Sequence, residues 1–554
     1  MTKQIIPLIE IAGLELEIAG KKLLKGIGLQ IAANERLALV GESGSGKSLT
    51  ALSLLGLHPK NALVRAEKMT FKEKPLIGLE EKNWREIRTR KIGMIFQEPQ
   101  SSLNPSMRCR KQLQEVLNTH TSLPKKQQRK KIDAALREVQ LNDTTHILDA
   151  YPHALSGGQK QRLMIAMALL CEPNLLIADE PTTALDVTVQ KEILELLLKL
   201  QKRYGMSILF ISHDLKLVKD FAQRVMVMKE GEILEENNTQ ALFDTPKHSY
   251  TKGLLFARPT IDLRYKRLPT LEDFKNDHFE PQTISIKDRR ERLEKLYLKK
   301  PLLNVSSLQK THNTNSLFGF SKKKTPALSD FSFSLFPGET LGLVGASGSG
   351  KSTLGRALIY LDPPEKGTIE FEGTLLNEKN ISNYRKEIQF IFQDPYAALH
   401  PQKTVGKVIG EAIQIHQKEL TSSDVQNRVI SLLDQTGLGE GFLNRYPHEL
   451  SGGQRQRVVI ARALAPQPKL VICDECVAAL DISVQAQVLN LLNQLKKEFN
   501  LSYLFISHDL ALVKYMSDRV MVIHDGKIIE LQDADELYQN PKSIHTKRLI
   551  EALQ

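Results

Sequence analysis

Gly41-Glu42-Ser43-Gly44-Ser45-Gly46-Lys47-Ser48 stands between an apolar strand-like run, Leu37 to Val40, and a helix-like run from Leu49 onward. The pattern reads as a phosphate cradle. Its glycines let the backbone turn tightly, so several N–H groups converge on one point. The helix that follows aims its positive end at the same point. Lys47 reaches the outer phosphates, and the Ser48 hydroxyl is placed to ligate Mg²⁺. A plain glycine-rich turn would need neither the strand before nor the helix after.

The cradle recurs. Gly345-Ala346-Ser347-Gly348-Ser349-Gly350-Lys351-Ser352 follows the strand-like Leu341 to Val344. Chance does not duplicate so specific a stretch, which points to a whole-domain repeat.

Around the first cradle, residues 1–35 read as three short β segments, Leu8 to Ile11, Leu14 to Ile18 and Ile27 to Ile31. Residues 61–90 read as charged and irregular. Ile92 to Gln97 is a short apolar strand ending on a glutamine and broken by Glu98-Pro99. Residues 107–150 read as polar helix with a basic patch at Lys125 to Lys131. In Leu155-Ser156-Gly157-Gly158-Gln159, Ser156 is a natural N-cap and the glycines bare a helix start, a second potential anion site. Leu175 to Ala178 is a buried-strand run ending on Asp179-Glu180, and Ser207 to Ile211 is another, ending at Ser212-His213-Asp214. Glu230-Gly231 reads as a hairpin turn.

The second half repeats this order. The cradle lysines are 351 − 47 = 304 apart, and the strand-end glutamines Gln97 and Gln393 are 296 apart. Ser156 to Ser451, Asp179 to Asp474 and His213 to His508 are each 295 apart. The first half therefore carries eight extra residues (304 − 296) before its glutamine, placed by this reading within 61–85. The division expected is a first domain over 1–256, a proline-punctuated, mixed-charge linker over 257–300 with a helical piece from Asp288 to Leu298, and a second domain over 301–554.

A chain of 554 residues is too long for one ordinary core. Apolar content of 41% and charged content of 25% are those of a soluble globular protein. The longest unbroken apolar run, Leu163 to Cys171, is far short of a bilayer span. Three glutamates interrupt the apolar N-terminal stretch, which argues against a secretory signal. Four cysteines imply no disulfide framework, and the chain reads as cytosolic. The net charge of +12 is spread along the chain. It reads as solvated lysines and is compatible with a place near anionic lipid rather than with a nucleic-acid footprint.

Phosphoryl transfer to water needs charge neutralisation, in-line positioning and a polarised water. Lys47 and the cradle amides supply the first. Ser48 and Asp179 can hold Mg²⁺, with Gln97 sensing phosphate and metal. Glu180, one residue past a strand end, is placed to orient or deprotonate the attacking water, and His213 to bond the terminal phosphate. The matching set is Lys351, Ser352, Asp474, Gln393, Glu475 and His508.

The ordered set of cradle, strand-end glutamine, Leu-Ser-Gly-Gly-Gln, apolar strand with Asp-Glu, and histidine resembles the nucleotide-binding domain of ABC ATPases, complete in both halves. The resemblance implies an α/β fold of two tandem P-loop NTPase domains. Each would have a RecA-like core, an antiparallel β subdomain and a helical subdomain carrying the Ser-Gly-Gly-Gln signature. It implies ATP and Mg²⁺ as ligands. It further implies that each ATP is sandwiched between one cradle and the opposite signature. One site would combine Gly41 to Ser48, Gln97, Asp179, Glu180 and His213 with Ser451, Gly453 and Gln454. The other would combine Gly345 to Ser352, Gln393, Asp474, Glu475 and His508 with Ser156, Gly158 and Gln159. Asp186 and Asp481 resemble the loop that links the sites. Two hydrolytically competent sites are expected. The aromatic ring that the family stacks on adenine is missing: Ile18 and His312 stand near its position. Cys476 replaces the Pro181 of the first half, and Cys473 reads as a buried strand residue rather than half of a metal or redox site.

Glu98 to Pro105 and Asp394 to Pro401 resemble the segment after the glutamine in the oligopeptide, dipeptide and nickel importer branch. Pro246-Lys247-His248-Ser249-Tyr250-Thr251 resembles the extension after the core in that branch; Pro541 to Thr546 keeps only its frame. Fused twin ATPases for glutathione or microcin C peptide uptake have this layout. The resemblance implies the motor subunit of an importer for peptides or similar small solutes, peripheral to the cytoplasmic face of the inner membrane. Two separate permease chains and a substrate-binding protein would be its partners, and no nucleic acid. The competing reading is a soluble twin ATPase acting on ribosomes or nucleic acid. The short proline-punctuated linker and the importer-like segments weigh against it.

Overall fold

The computed structural model describes residues 6–182, 185, 187–261, 263–274, 282–315, 322–346, 348–478 and 480–551, without the side chains of 99–100, 187–188, 312–315 and 322–325. It forms two compact units, Met1–Leu255 and Phe256–Gln554.

In the first unit, Arg36–Val40 lies inside a six-stranded sheet. The order is Glu232–Asn238, Arg224–Lys229, Arg36–Val40, Ser207–Ser212, Leu175–Asp179, Ile92–Ile95. Only the Glu232–Asn238 edge pairs antiparallel. Leu175 to Ala178 and Ile208 to Ile211 are fully buried, because strands of a parallel sheet are covered on both faces. This order sets the ends of the cradle strand, the Asp179 strand and the His213 strand side by side, where open α/β sheets bind ligands.

A second, antiparallel sheet holds Ile9–Ile18, Lys21–Ile31, Ala62–Arg65, Lys68–Phe71 and Lys74–Pro75. What reads as two segments near the start is one strand with a bulge. Ile9 and Ile11 are buried, Gly13 takes φ +61°, and Leu14 and Leu16 are buried after it. The register against Lys21–Ile31 shifts between Ile11 and Leu14, so the extra residue keeps both pairs on the core face. Residues 61–90 are not irregular. They hold three short strands and the helix Glu81–Ile87. Val64, flanked by the exposed Leu63 and Arg65, and Met69 to Phe71, buried after the exposed Lys68, pack on the core in runs too short to stand out. Helices Cys109–His120, Lys125–Glu138, Thr144–Asp149 and Gly157–Leu169 form the third part.

The second unit repeats all three parts. Its core sheet runs Ile388–Ile391, Leu470–Asp474, Ser502–Ile506, Thr340–Gly345, Arg519–His524, Lys527–Asp533, parallel except for the Lys527–Asp533 edge. Leu303–Asn315, Lys322–Leu335, Lys366–Phe371 and Thr374–Leu375 make its antiparallel sheet, and Val405–His416, Ser422–Gln435 and Gly452–Leu464 its helical part. The eight extra residues of the first half fall in two places. Phe71 and Phe371, at equivalent strand ends, stand 371 − 71 = 300 apart. Half of the excess therefore precedes them, where Ala62–Arg65 adds a strand. The other half follows, where Glu81–Ile87 replaces the shorter Ile381–Tyr384.

The 257–300 segment packs on the second unit. Ala257, Tyr265 and Leu268 enter its core. Leu268 exchanges two 2.8 Å hydrogen bonds with the Asn490 side chain. Arg264 pairs with Asp535 at 3.0 Å. From the helix Ile286–Tyr297, Arg289 reaches Asp533 at 2.8 Å and Asp535 at 3.0 Å, and Arg292 reaches Asp518. At the matching positions the first half carries the uncharged Gln223, Asn238 and Gln240 in place of Asp518, Asp533 and Asp535. The basic strap thus meets carboxylates on one half of the repeat only.

Candidate functional site

In each unit the cradle closes on the same bonds. Gly46 (φ +106°) and Gly350 (φ +104°) turn the chain into the helices Lys47–Leu54 and Lys351–Leu358. A β-carbon at Gly350 would lie 2.4 Å from the Ala327 carbonyl oxygen, so the turn requires glycine. Lys47 Nζ donates to the carbonyls of Gly41 (2.9 Å) and Glu42 (2.8 Å). Lys351 Nζ donates to those of Gly345 (2.8 Å) and Ala346 (3.0 Å). Both ammonium groups are thus held within their own loops. Ser347 lies outside the described residues.

Ser48 Oγ donates to Asp179 Oδ1 at 3.1 Å, and Ser352 Oγ to Asp474 Oδ1 at 3.1 Å. Both carboxylates are buried. Burial pushes Asp179 up to about 6, aided by neighbouring Glu180 and opposed by Ser48 and Lys47. Burial also raises Asp474, again against its serine.

Glu180 and Glu475 follow at φ +46° and +47°, in the left-handed region that a side chain rarely adopts. Their N–H groups bond the carbonyls of Ile211 (2.9 Å) and Ile506 (3.0 Å), which holds this strained turn in place. The turn aims each carboxylate at two partners. Gln97 Nε2 donates to Glu180 Oε2 at 2.8 Å, and His213 Nδ1 lies 3.1 Å from Glu180 Oε1. Gln393 and His508 do the same to Glu475, at 2.8 and 3.3 Å. The bond to Glu475 raises the pKa of His508. Burial pulls Glu475 upward, but the His508 bond and charge and the Lys351 charge leave it below the usual range.

Ser156 and Ser451 are N-caps, as expected, of Gly157–Leu169 and Gly452–Leu464. The full capping box was not foreseen. Gln159 Oε1 accepts the Ser156 N–H at 2.9 Å while Ser156 Oγ accepts the Gln159 N–H at 3.3 Å, and Ser451 and Gln454 repeat this at 3.0 and 3.3 Å. The S-x-x-Q spacing was the available signal. Gly158 and Gly453 sit in the first turns of these helices, close to Val189 and Val484. Ile18 is partly buried against the antiparallel-sheet core. Asp186 and the His312 side chain lie outside the described residues. Asp481 is the N-cap residue of Ile482–Glu498. Cys473 is the fully buried strand residue expected.

A family model described as ABC transporter matches residues 24–183 and 328–478. The chain belongs to the ABC transporter ATP-binding family. A second family model, oligopeptide/dipeptide transporter C-terminal region, matches residues 234–282. The chain is 41% identical to a glutathione import ATP-binding protein of Pectobacterium atrosepticum, over 96% of its own length and 86% of the relative's. It is 42% identical to the Escherichia coli K12 protein of the same name, with the same coverage. Among solved structures, the ATP-binding cassette MJ0796 bound to ADP and Pi aligns with 42% of this chain and 98% of its own, at 27% identity and a TM-score of 0.38. The tandem P-loop architecture is that of ABC ATPases, once per unit. Among the described residues no helix is long and apolar enough to cross a membrane.

Proposed function

We propose that this ABC ATPase is the motor subunit of an importer for glutathione, peptides or similar small solutes. The observation that carries the reading is the matched set Lys47–Ser48–Gln97–Asp179–Glu180–His213 and Lys351–Ser352–Gln393–Asp474–Glu475–His508, intact in both units. The match of 234–282 to the oligopeptide/dipeptide C-terminal region supports the peptide branch over a ribosome-associated ATPase.

Lys47 and Lys351 leave their loop carbonyls to meet the nucleotide phosphates. Glu180 and Glu475 accept a proton from, or orient, the attacking water, and His213 and His508 steady the terminal phosphate. Gln97 and Gln393, bonded to those glutamates, report the occupant of the cradle to the segment that follows. Among the described residues no group of three or more His, Cys, Asp and Glu side chains gathers to hold a metal. Mg²⁺ suits a smaller set of hard oxygens completed by phosphates and water, and the facing Ser48–Asp179 and Ser352–Asp474 pairs supply one. Bound there, Mg²⁺ neutralises phosphate charge. The partners this reading requires are two separate membrane-spanning permease chains and a substrate-binding protein acting through them, with this chain peripheral at the cytoplasmic face of the inner membrane.

The test is a Glu180→Gln, Glu475→Gln chain purified in mild detergent from its own cells beside the parent. Both are expected to bring down the same multi-span membrane chains and to bind MgATP, and only the parent to hydrolyse it. Undiminished turnover would overturn the roles of the glutamates. Ribosomal proteins in place of membrane chains would overturn the importer.

A further inference from the structure

One side chain ties the C-terminal part of the first unit to its own cradle. Tyr250, buried on the helix Ser249–Phe256, accepts the Glu42 N–H at 3.2 Å and donates to Glu42 Oε2 at 3.3 Å. The Gly41 carbonyl and the Glu42 N–H belong to one peptide group. Lys47 therefore holds the oxygen side of that peptide while Tyr250 holds its hydrogen side. Tyr250 is itself well fixed. Glu235 accepts the N–H groups of Lys247 (2.9 Å) and His248 (3.0 Å), and the Tyr250 N–H donates to His248 Nδ1 at 3.1 Å. Lys229 Nζ lies over the ring at 5.0 Å.

The second unit repeats the anchor but not the tie. Glu530 accepts the N–H groups of Lys542 (2.8 Å) and Ser543 (3.1 Å). The residue matching Tyr250 is His545, which stacks on His524 at 3.8 Å, and the residue matching Glu42 is Ala346. The acidic cradle residue and the tyrosine that restrains it thus occur together, and are absent together from the other half.

We propose that Tyr250 is a positioning residue for the first nucleotide site, and that the second site works without such a tie. The inference rests on the cradle reading above. Glu42 is the one acid in either cradle, and a loose carboxylate beside the phosphates opposes them by like charge. Tyr250 pins that carboxylate and fixes the peptide that opens the loop, so less ordering is left for binding. The two sites therefore hold nucleotide unequally, with the C-terminal extension setting the first.

The experiment uses the full chain with the second site silenced by Lys351→Ala, and reads MgATP affinity by displacement of a fluorescent trinitrophenyl-ATP. Tyr250→Phe is expected to weaken binding about three- to tenfold, the scale of one or two net hydrogen bonds. Turnover at saturating ATP should stay within about twofold of the Lys351→Ala chain that keeps Tyr250, which separates a positioning from a chemical role. With the first site silenced instead by Lys47→Ala, His545→Phe is expected to leave affinity unchanged. Partial unfolding of a variant lowers the number of sites and not the constant, so it does not imitate the result. Unchanged affinity in Tyr250→Phe, or an equal loss in His545→Phe, overturns the proposal. If Lys47→Ala added to Lys351→Ala fails to abolish the remaining binding, the cradle reading itself has failed.

Discussion

Lys496 Nζ lies 3.2 Å from Asp518 Oδ2, with the aspartate almost sealed from water and the lysine mostly covered. The same carboxylate accepts the Thr340 N–H at 2.9 Å and also meets Arg292 from the strap helix. Burial alone would raise the Asp518 pKa; the Lys496 and Arg292 charges and the Thr340 and Arg292 bonds override it and bring it from 3.8 to about 2. A carboxylate with a depressed folded pKa adds stability above its unfolded value and loses it as pH falls through the folded one. The second unit should therefore lose stability between about pH 4 and pH 2. Asp518→Asn leaves the mostly covered Lys496 and the Arg292 guanidinium without this counter-charge. The expected cost is about 3–5 kcal/mol at neutral pH, with a flatter acid limb.

The first unit offers an internal control. Its equivalents of Lys496 and Asp518 are Gln201 and Gln223, which bond the Arg36 side chain and N–H at 3.4 and 2.9 Å. Trp84, the one tryptophan of the chain, belongs to the first unit. Its fluorescence should report an acid transition that Asp518→Asn does not move, while circular dichroism of the whole chain does shift. Coincident shifts in both signals would defeat this assignment.

Asp533 and Asp535 are the acids that the strap arginines find. Replacing them with the first-half residues, Asp533→Asn and Asp535→Gln, removes the carboxylate partners of Arg264 and Arg289 and leaves their bonds to the Ser517 and Asp518 carbonyls. Faster limited proteolysis between Ala257 and Lys300 is the expected outcome, with 303–551 left resistant. An unchanged cleavage pattern would show that the packing of Tyr265, Leu268 and Leu293 and the bonds that remain hold the strap without these carboxylates.

The two cradle glycines should differ in their tolerance of alanine. At Gly46 a β-carbon meets the tips of Leu24 and Met228 at 2.7 Å, both flexible side-chain ends. At Gly350 it meets the backbone oxygen of Ala327, which cannot step aside. Both positions carry positive φ and both substitutions are strained. Gly350→Ala is expected to lower the second unit's thermal midpoint by several degrees more than Gly46→Ala lowers the first's, read by calorimetry.

What the sequence made legible follows from how each feature is encoded. The cradles, Gln97, Asp179-Glu180 and His213 sit at strand ends, where apolar runs stop abruptly on polar residues and the stop recurs at a fixed offset. Gly13 was harder to read, because a bulge reverses the alternation on which a strand is recognised. The strap contacts were not legible at all. Arg289 and Asp533 lie 244 residues apart, and only folding reveals that the aspartates face a basic helix while Asn238 and Gln240 do not. The bond from Tyr250 to Glu42 was hidden for the same reason, although both residues stood inside motifs already singled out.

The joining of two cradles in one polypeptide has a consequence for how the molecule can change. In an assembly of identical chains, every substitution appears twice, and a defect strikes both catalytic centres at once. Here a codon for Glu42 or Tyr250 can drift without its counterpart, and the ratio of the two halves is one to one whatever the level of expression. Ala346, His545 and Cys476 show that divergence already written into the second half.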